Sequence, residues 1–232
     1  MEKKGSHVGI VISFGIFITF VIFTYVIISP AIESNENQNL IKNLKRNLVE
    51  EFSTEITIIS IKTNTDSSNC ARIGDFLTNF QIGKNLVATD SSGNIVTATY
   101  TGEHLNIYPE GGESFFRIYG SDTFAEIEGG PSCSTKKDLY GKFIKKENIV
   151  VTENIISIAQ EYETDYAGLK ERLHIPAINN FEFEFTDSEG EKIATEKKEI
   201  SRTNIYIEEF PVEYIKESDV SRKVGILKVK VW

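Results

Sequence analysis

Sulfur, histidine and proline are scarce in this chain, and each shortage closes a route. Its 232 residues hold two cysteines, three histidines, five prolines, one methionine and one tryptophan. Cys70 and Cys133 are too few and too far apart for a zinc site, which wants paired ligands close in sequence. His7, His104 and His174 have no Cys or carboxylate at ligand spacing, so no metal role is expected of them. The acids Asp75, Asp122, Asp138, Asp165 and Asp187 are scattered, and an Asp-X-Asp calcium loop is missing. No Gly-X-Ser-X-Gly elbow, His-Glu-X-X-His pair or phosphate loop occurs, so no enzyme, catalytic residue or cofactor is expected. Asn-X-Ser/Thr is absent as well, which removes N-glycosylation at that motif. Basic residues are outnumbered, 25 Lys and Arg against 34 Asp and Glu, for a net charge of −9. That balance argues against nucleic acid, which needs a basic face to displace counterions, and against adhesion to anionic lipid.

The most telling absence is of charge itself. Val8 to Ser29 contains no Asp, Glu, Lys or Arg. As a helix rising ~1.5 Å per residue the run is roughly 33 Å long, enough to cross a ~30 Å hydrocarbon core. Ser13, Thr19 and Thr24 interrupt it mildly, because a hydroxyl can bond the carbonyl one turn earlier. Pro30 is expected to close the span, since it supplies no N–H and clashes with the preceding turn. The flank Met1–His7 is short and basic through Lys3 and Lys4, and short positive flanks stay in the cytoplasm. The N-terminus is therefore expected inside the cell membrane and the rest outside. A cleaved secretory signal is the competing reading, with small residues at Ser29 and Ala31, although such signals have an apolar core of about 7–15 residues. A buried helix of a soluble protein is a third, weakened by the lack of a polar face. The acidic excess all lies beyond the span, where it mostly means solubility.

Four sections follow: a flank at 1–7, a transmembrane helix at 8–29, an amphipathic stalk helix at 30–53 and an outer domain at 54–232. In the stalk, Ile41, Leu44, Leu48 and Phe52 recur at helical spacing as one apolar stripe. That stripe packs either on its own domain or against neighbouring copies. Thr57–Thr63 reads as a strand, and Asn64–Asn69 as a polar loop. Lys84–Thr89 and Asn94–Thr101 flank Asp90-Ser91-Ser92-Gly93, a hairpin signal. Leu105–Tyr108 and Ser114–Tyr119 are expected to pair around Pro109-Glu110-Gly111-Gly112, and 128–132 is a loop. Ile155, Ile158, Tyr162, Tyr166, Leu169 and Leu173 mark a helix from Asn154 to Leu173, capped by Thr152. Phe181, Phe183 and Phe185 alternate with Glu182 and Glu184, so the two acids are expected on a solvated face. Asn204–Tyr214 and Val224–Trp232 close the chain as strands, the last an edge or half-buried one. Strands, one helix, then strands means an α+β class with mostly antiparallel pairing. Outside a membrane two cysteines usually pair, and a Cys70–Cys133 bridge would stabilise by about 4 kcal/mol on the chain-entropy estimate. Two separate buried thiols are the other reading.

Lys3-Lys4-Gly5-Ser6-His7, followed by the apolar run, resembles the class III signal of type IV pilin-like proteins. The resemblance implies cleavage by a prepilin peptidase between Gly5 and Ser6, a helix packed in a filament core, a long stem through residue 53 and a β-rich head. Many pilins carry Glu at the fifth mature position, where this chain has Ile10. The Ile-, Lys-, Asn- and Glu-rich outer region resembles, in general appearance, anchored surface proteins of archaea with small genomes. The expected function is thus a single-pass, membrane-anchored extracellular structural or interaction protein, pilin-like in type. Its expected partners are the lipid bilayer and other pilin-like subunits or surface proteins. The alternative is an anchored ligand-binding or sensor-type ectodomain, with a concave pocket between the 154–173 helix and the sheet.

Overall fold

The apolar run and the amphipathic stripe turn out to be one helix. The computed structural model describes residues 6–63, 70–109, 115–131, 133, 139–194 and 205–232. In it α1 spans Ser6–Phe52, 47 residues, or about 70 Å at 1.5 Å per residue. Pro30, expected to end the span, lies inside this helix. The physical reason is local: a proline removes only its own N–H rung, here the one toward Val26, and the turns on either side continue. Over Gly9–Ile27 the helix is long and apolar enough to cross a membrane, and no part of that window is buried. Thr19 Oγ1 donates to the Gly15 carbonyl at 2.8 Å, one turn back. Further along, Ile41, Leu44, Leu48 and Phe52 are each no more than 2 % exposed, packed within their own chain.

The strands are β1 (Ser53–Thr63), β2 (Ala71–Ile73), β3 (Leu86–Thr89), β4 (Ile95–Thr101), β5 (His104–Tyr108), β6 (Phe115–Gly120), β7 (Leu139–Val151), β8 (Phe181–Thr186), β9 (Lys192–Ala194), β10 (Tyr206–Lys216) and β11 (Asp219–Val231). Helices α2 (Phe76–Phe80), α3 (Thr152–Thr164) and α4 (Tyr166–Arg172) interrupt them. All the strands form one open sheet in the order β2-β5-β4-β3-β6-β1-β7-β10-β11-β8-β9. The chain is therefore mixed α+β. Neighbours run antiparallel except β7 and β10, which meet in parallel at Tyr214↔Val150 and Ile215↔Val151. That short contact joins two halves, each with its own core, and a third cluster of Ile56, Phe124, Ile149, Val151, Ile215 and Val220 packs across the join. One core gathers the end of α1, α3, α4, β8, β10 and β11. The other gathers β1 to β6 with α2.

Several elements depart from expectation. β5 and β6 do not pair with each other: β5 pairs with β4 and β2, and β6 with β1 and β3. The reason is burial, since this register sets Phe116 opposite Ile61 and Ile118 opposite Ile59, all fully buried. The expected 154–173 helix is two helices, broken at Asp165. Asp165 leaves helical geometry and its carboxylate accepts from Gly168 N at 3.0 Å, capping α4. Thr152 opens α3 without capping it; its hydroxyl donates instead to the Ile215 carbonyl at 3.2 Å. β11 lies inside the sheet, between β10 and β8. Glu182, expected in solvent, is 5 % exposed and meets Lys230 Nζ at 2.7 Å across β8 and β11. Glu184 keeps more solvent and pairs with Lys192 at 3.0 Å. The polar loop Asn64–Asn69 and the turn at 110–112 lie outside the described residues.

Two hairpins share one device. Asp90 Oδ1 accepts from Ser92 N and Asn94 N, and Asp187 Oδ1 from Glu189 N and Glu191 N, all at 2.8–2.9 Å. Each turn then needs a positive φ, supplied by Gly93 at 91° and Gly190 at 89°. The side chain of Leu48 is completely enclosed. Leu48→Ala in the full chain is expected to cost about 2–5 kcal/mol of unfolding free energy, against within about 0.5 kcal/mol for the exposed Lys42→Ala. Denaturant titration in detergent reads the difference, and equal effects would contradict the docking of α1.

Candidate functional site

The residues singled out from sequence fall in separate places. Lys3, Lys4 and Gly5 lie outside the described residues, and Ser6 is the first residue of α1. Cys70 and Cys133 form a disulfide with Cα atoms 5.9 Å apart. It ties the chain just before β2 to a stretch already held to β5, where Cys133 N donates to Asn106 Oδ1 at 3.3 Å. The stripe Ile41, Leu44, Leu48 and Phe52 faces the domain's own core. His104 Nδ1 accepts from Asp75 N at 3.1 Å, with the Asp75 carboxylate 3.8 Å away. Among the described residues no three His, Cys, Asp or Glu side chains are grouped to hold a metal ion.

The space between the α3–α4 pair and the sheet is filled. Tyr162 is fully buried and donates its hydroxyl to the Phe181 carbonyl at 2.8 Å. Tyr166 stacks on Phe181 with ring centroids 5.5 Å apart, and burial raises its phenol above the ordinary range. Ile155, Ile158, Leu169 and Leu173 complete that face. A ligand pocket expected there has no room.

Concave surface lies instead beside the stretch Ala125–Gly130. The stretch Ala125–Gly130 crosses β3 and β4, held by Ile127 N to the Lys84 carbonyl at 3.0 Å, Tyr100 N to the Glu128 carbonyl at 3.2 Å and Gly130 N to the Tyr100 carbonyl at 3.1 Å. A groove of about 560 Å³ on one side is lined by Lys84, Tyr100, Glu126, Glu128 and Gly129, among others. A second of about 520 Å³ on the other side has a floor of β3 and β4, including Val87, Ile95, Val96 and Ala98. Its walls are Ala125–Ile127, Glu153 of α3, and Glu217 and Ser218 of the β10–β11 turn. Both volumes lie in the range of small-ligand sites.

Three remote pieces meet in the wall of the second groove. Glu217 Oε1 accepts from Ala125 N at 2.5 Å, and Glu153 Oε1 accepts from Glu217 N at 3.3 Å. Glu153 Oε2 is buried without a hydrogen-bond partner. The lining contains no His or Cys, so the groove offers apolar contact and negative charge rather than a nucleophile and its base. Sequence reading missed it. Glu153 looks like an acid in a helix's first turn and Glu217 like part of a polar turn, and no local spacing links positions 125, 153 and 217.

The turn beside the groove is electrostatically braced. Asp219 Oδ1 accepts from Ser221 N at 3.1 Å, and Lys223 reaches Asp219 and Glu189 at 2.9 Å each. The Ser221 hydroxyl first, and then Lys223, bring the Asp219 carboxyl from 3.8 down to about 2. Lys223 is raised in turn, by Asp219 first and then Glu189. Lys216 holds Asp187 low across 2.7 Å. A carboxyl lowered on folding stabilises above its unfolded value and loses that contribution as pH falls through the folded one. The melting-temperature advantage of the native chain over Asp219→Asn is therefore expected to be full near neutral pH and to vanish between pH 3.8 and about 2. A gap unchanged across that window would contradict the assignment.

Compared with known proteins, the chain matches no family model, no curated protein and no solved structure.

Proposed function

We propose that this protein is a single-pass, membrane-anchored structural or interaction protein of the cell surface, with residues 1–7 cytoplasmic, the apolar span in the bilayer and the α+β domain outside. One observation carries the reading: α1 is uncovered over Gly9–Ile27 and buries its Ile41, Leu44, Leu48 and Phe52 face in the domain, with no helix break between. A core helix of a soluble protein hides its apolar run, whereas this one presents Phe14, Phe20 and Tyr25 at 64 %, 64 % and 72 % exposure. Lipid is the solvent that such a surface matches. A leader cut near Ser29 would remove half of a helix whose other half belongs to the core. The orientation rests on Lys3 and Lys4.

Within that class the reading is a pilin-like subunit, whose partners are the bilayer and further subunits or surface proteins. Its support is Lys3-Lys4-Gly5 ahead of the apolar helix. A second reading, an anchored ligand-binding or sensor ectodomain, is favoured by the groove at Glu153 and Glu217.

The test is intact-mass spectrometry of the protein extracted from membranes of cells that also make a prepilin peptidase. The expected mature chain begins at Ser6, and Gly5→Val is expected to leave it uncut. An intact N-terminus in the native chain would reject the pilin reading, and release by alkaline carbonate would reject the anchor.

A further inference from the structure

We infer that the groove between β3–β4 and Ala125–Ile127 docks a lysine or arginine side chain carried on an extended segment of a partner protein. The floor and the wall of the groove differ in chemistry. Along β4 from Ile95 to Ala98 the floor is about 10 Å long, at ~3.3 Å per residue. Ile95 is 48 % exposed there, with the half-buried Val87 near it and Thr97 on the same face of β4, while Val96 and Ala98 turn to the core on the other face. Glu153 and Glu217 stand in its wall. Apolar surface walled by carboxylates complements an amphipathic cation, whose methylene stem lies on apolar surface while its head seeks charge.

The carboxylates are fixed before any partner arrives. Each has its Oε1 engaged by a backbone N–H, Ala125 for Glu217 and Glu217 for Glu153. Those bonds set the direction of the second oxygens. Glu153 Oε2 is buried and lacks a hydrogen-bond partner, a state that native structures rarely leave unanswered. A donor from a docked ammonium or guanidinium answers it with a charge-assisted bond. A bare metal ion fits poorly, because hard cations take six or more oxygens and no third acid or histidine joins the pair among the described residues. The floor is longer than one side chain, so it accepts the residue next to the cation as well. That favours a peptide segment over a free amine. Glu126 at the rim is already held by Lys84 at 3.2 Å, which leaves the deeper pair as the cation's seat. The inference stands apart from the pilin reading, since cutting after Gly5 does not touch the groove.

The test uses the full chain in nanodiscs of neutral phosphatidylcholine, so that lipid does not attract the probe. The probe is a fluorescein-labelled, acetylated peptide Ala-Val-Lys-Val-Ala, followed by anisotropy, with a counterpart in which norleucine replaces the lysine. Saturable binding is expected for the lysine peptide, about tenfold weaker for the norleucine one and about tenfold weaker for Glu153→Gln, as loss of one charge-assisted contact implies. Thr97 is exposed on the groove's lining, so Thr97→Trp fills the groove without entering the core and is expected to abolish binding. Should Glu153→Gln fail to fold, the Thr97→Trp variant and the norleucine peptide still decide. Absent saturable binding, equal affinity for both peptides, unaltered binding by Thr97→Trp, or cadaverine binding as tightly as the peptide would each overturn the inference.

Discussion

Four apolar side chains couple the long helix to the sheet. Ile41, Leu44, Leu48 and Phe52 lie on one face of α1 and fill the core beneath β8, β10 and β11. Full burial of such side chains is worth about 1.5–3 kcal/mol each, so together they outweigh any single polar contact nearby. Polar groups then fix the seat. Asn47 Nδ2 donates to the Leu173 carbonyl at 2.8 Å, Arg172 Nε reaches Glu51 at 3.1 Å, and Lys45 sits 4.1 Å over the Phe210 ring. Phe52 meets Phe183 at 5.4 Å between centroids. Because β1 begins at the next residue, the helix cannot swing without moving an interior strand. In the proposed setting, the stretch of α1 from Ile41 to Phe52 therefore moves with the outer domain.

The same economy places the groove. The halves of the sheet join through two parallel residue pairs, Tyr214↔Val150 and Ile215↔Val151. β7 ends there and α3 starts; β10 ends there and turns into β11. The hydroxyl of Thr152 bonds the Ile215 carbonyl across the join. Glu153 and Glu217 each lie two residues beyond the Val151↔Ile215 pair, which is why they meet. Ala125 is then drawn to Glu217, and the stretch that carries it forms the far wall. A short contact between two distant strands thus assembles a feature from three stretches of chain.

What sequence made legible was whatever depends on near neighbours. The apolar helix, the stripe, the Asp90 hairpin, the Phe181–Phe185 alternation and the α+β class all follow from composition, periodicity or turn chemistry along short stretches of the chain. Errors arose where long-range pairing decides. The turn signal after Tyr108 suggested that β5 and β6 pair, but burial of Phe116 and Ile118 against β1 took precedence. Glu182 alternates like a surface residue, yet Lys230 from a strand far along the chain encloses it. Asp165 sits inside an unbroken apolar stripe, and only its bond to Gly168 N shows the helix restarting. β2, α2, β7 and β9 carry weak local patterns and were not expected. The groove was wholly illegible, since its acids belong to no motif.

Hydrogen exchange on the full chain in nanodiscs tests the coupling of helix to domain most directly. Amides of residues 41–52 are expected to exchange together with those of α3 and β11, on the timescale of global unfolding, because they share one core. Exchange of residues 41–52 within seconds, while β8 and β11 stay protected, would show the helix undocked and contradict the account.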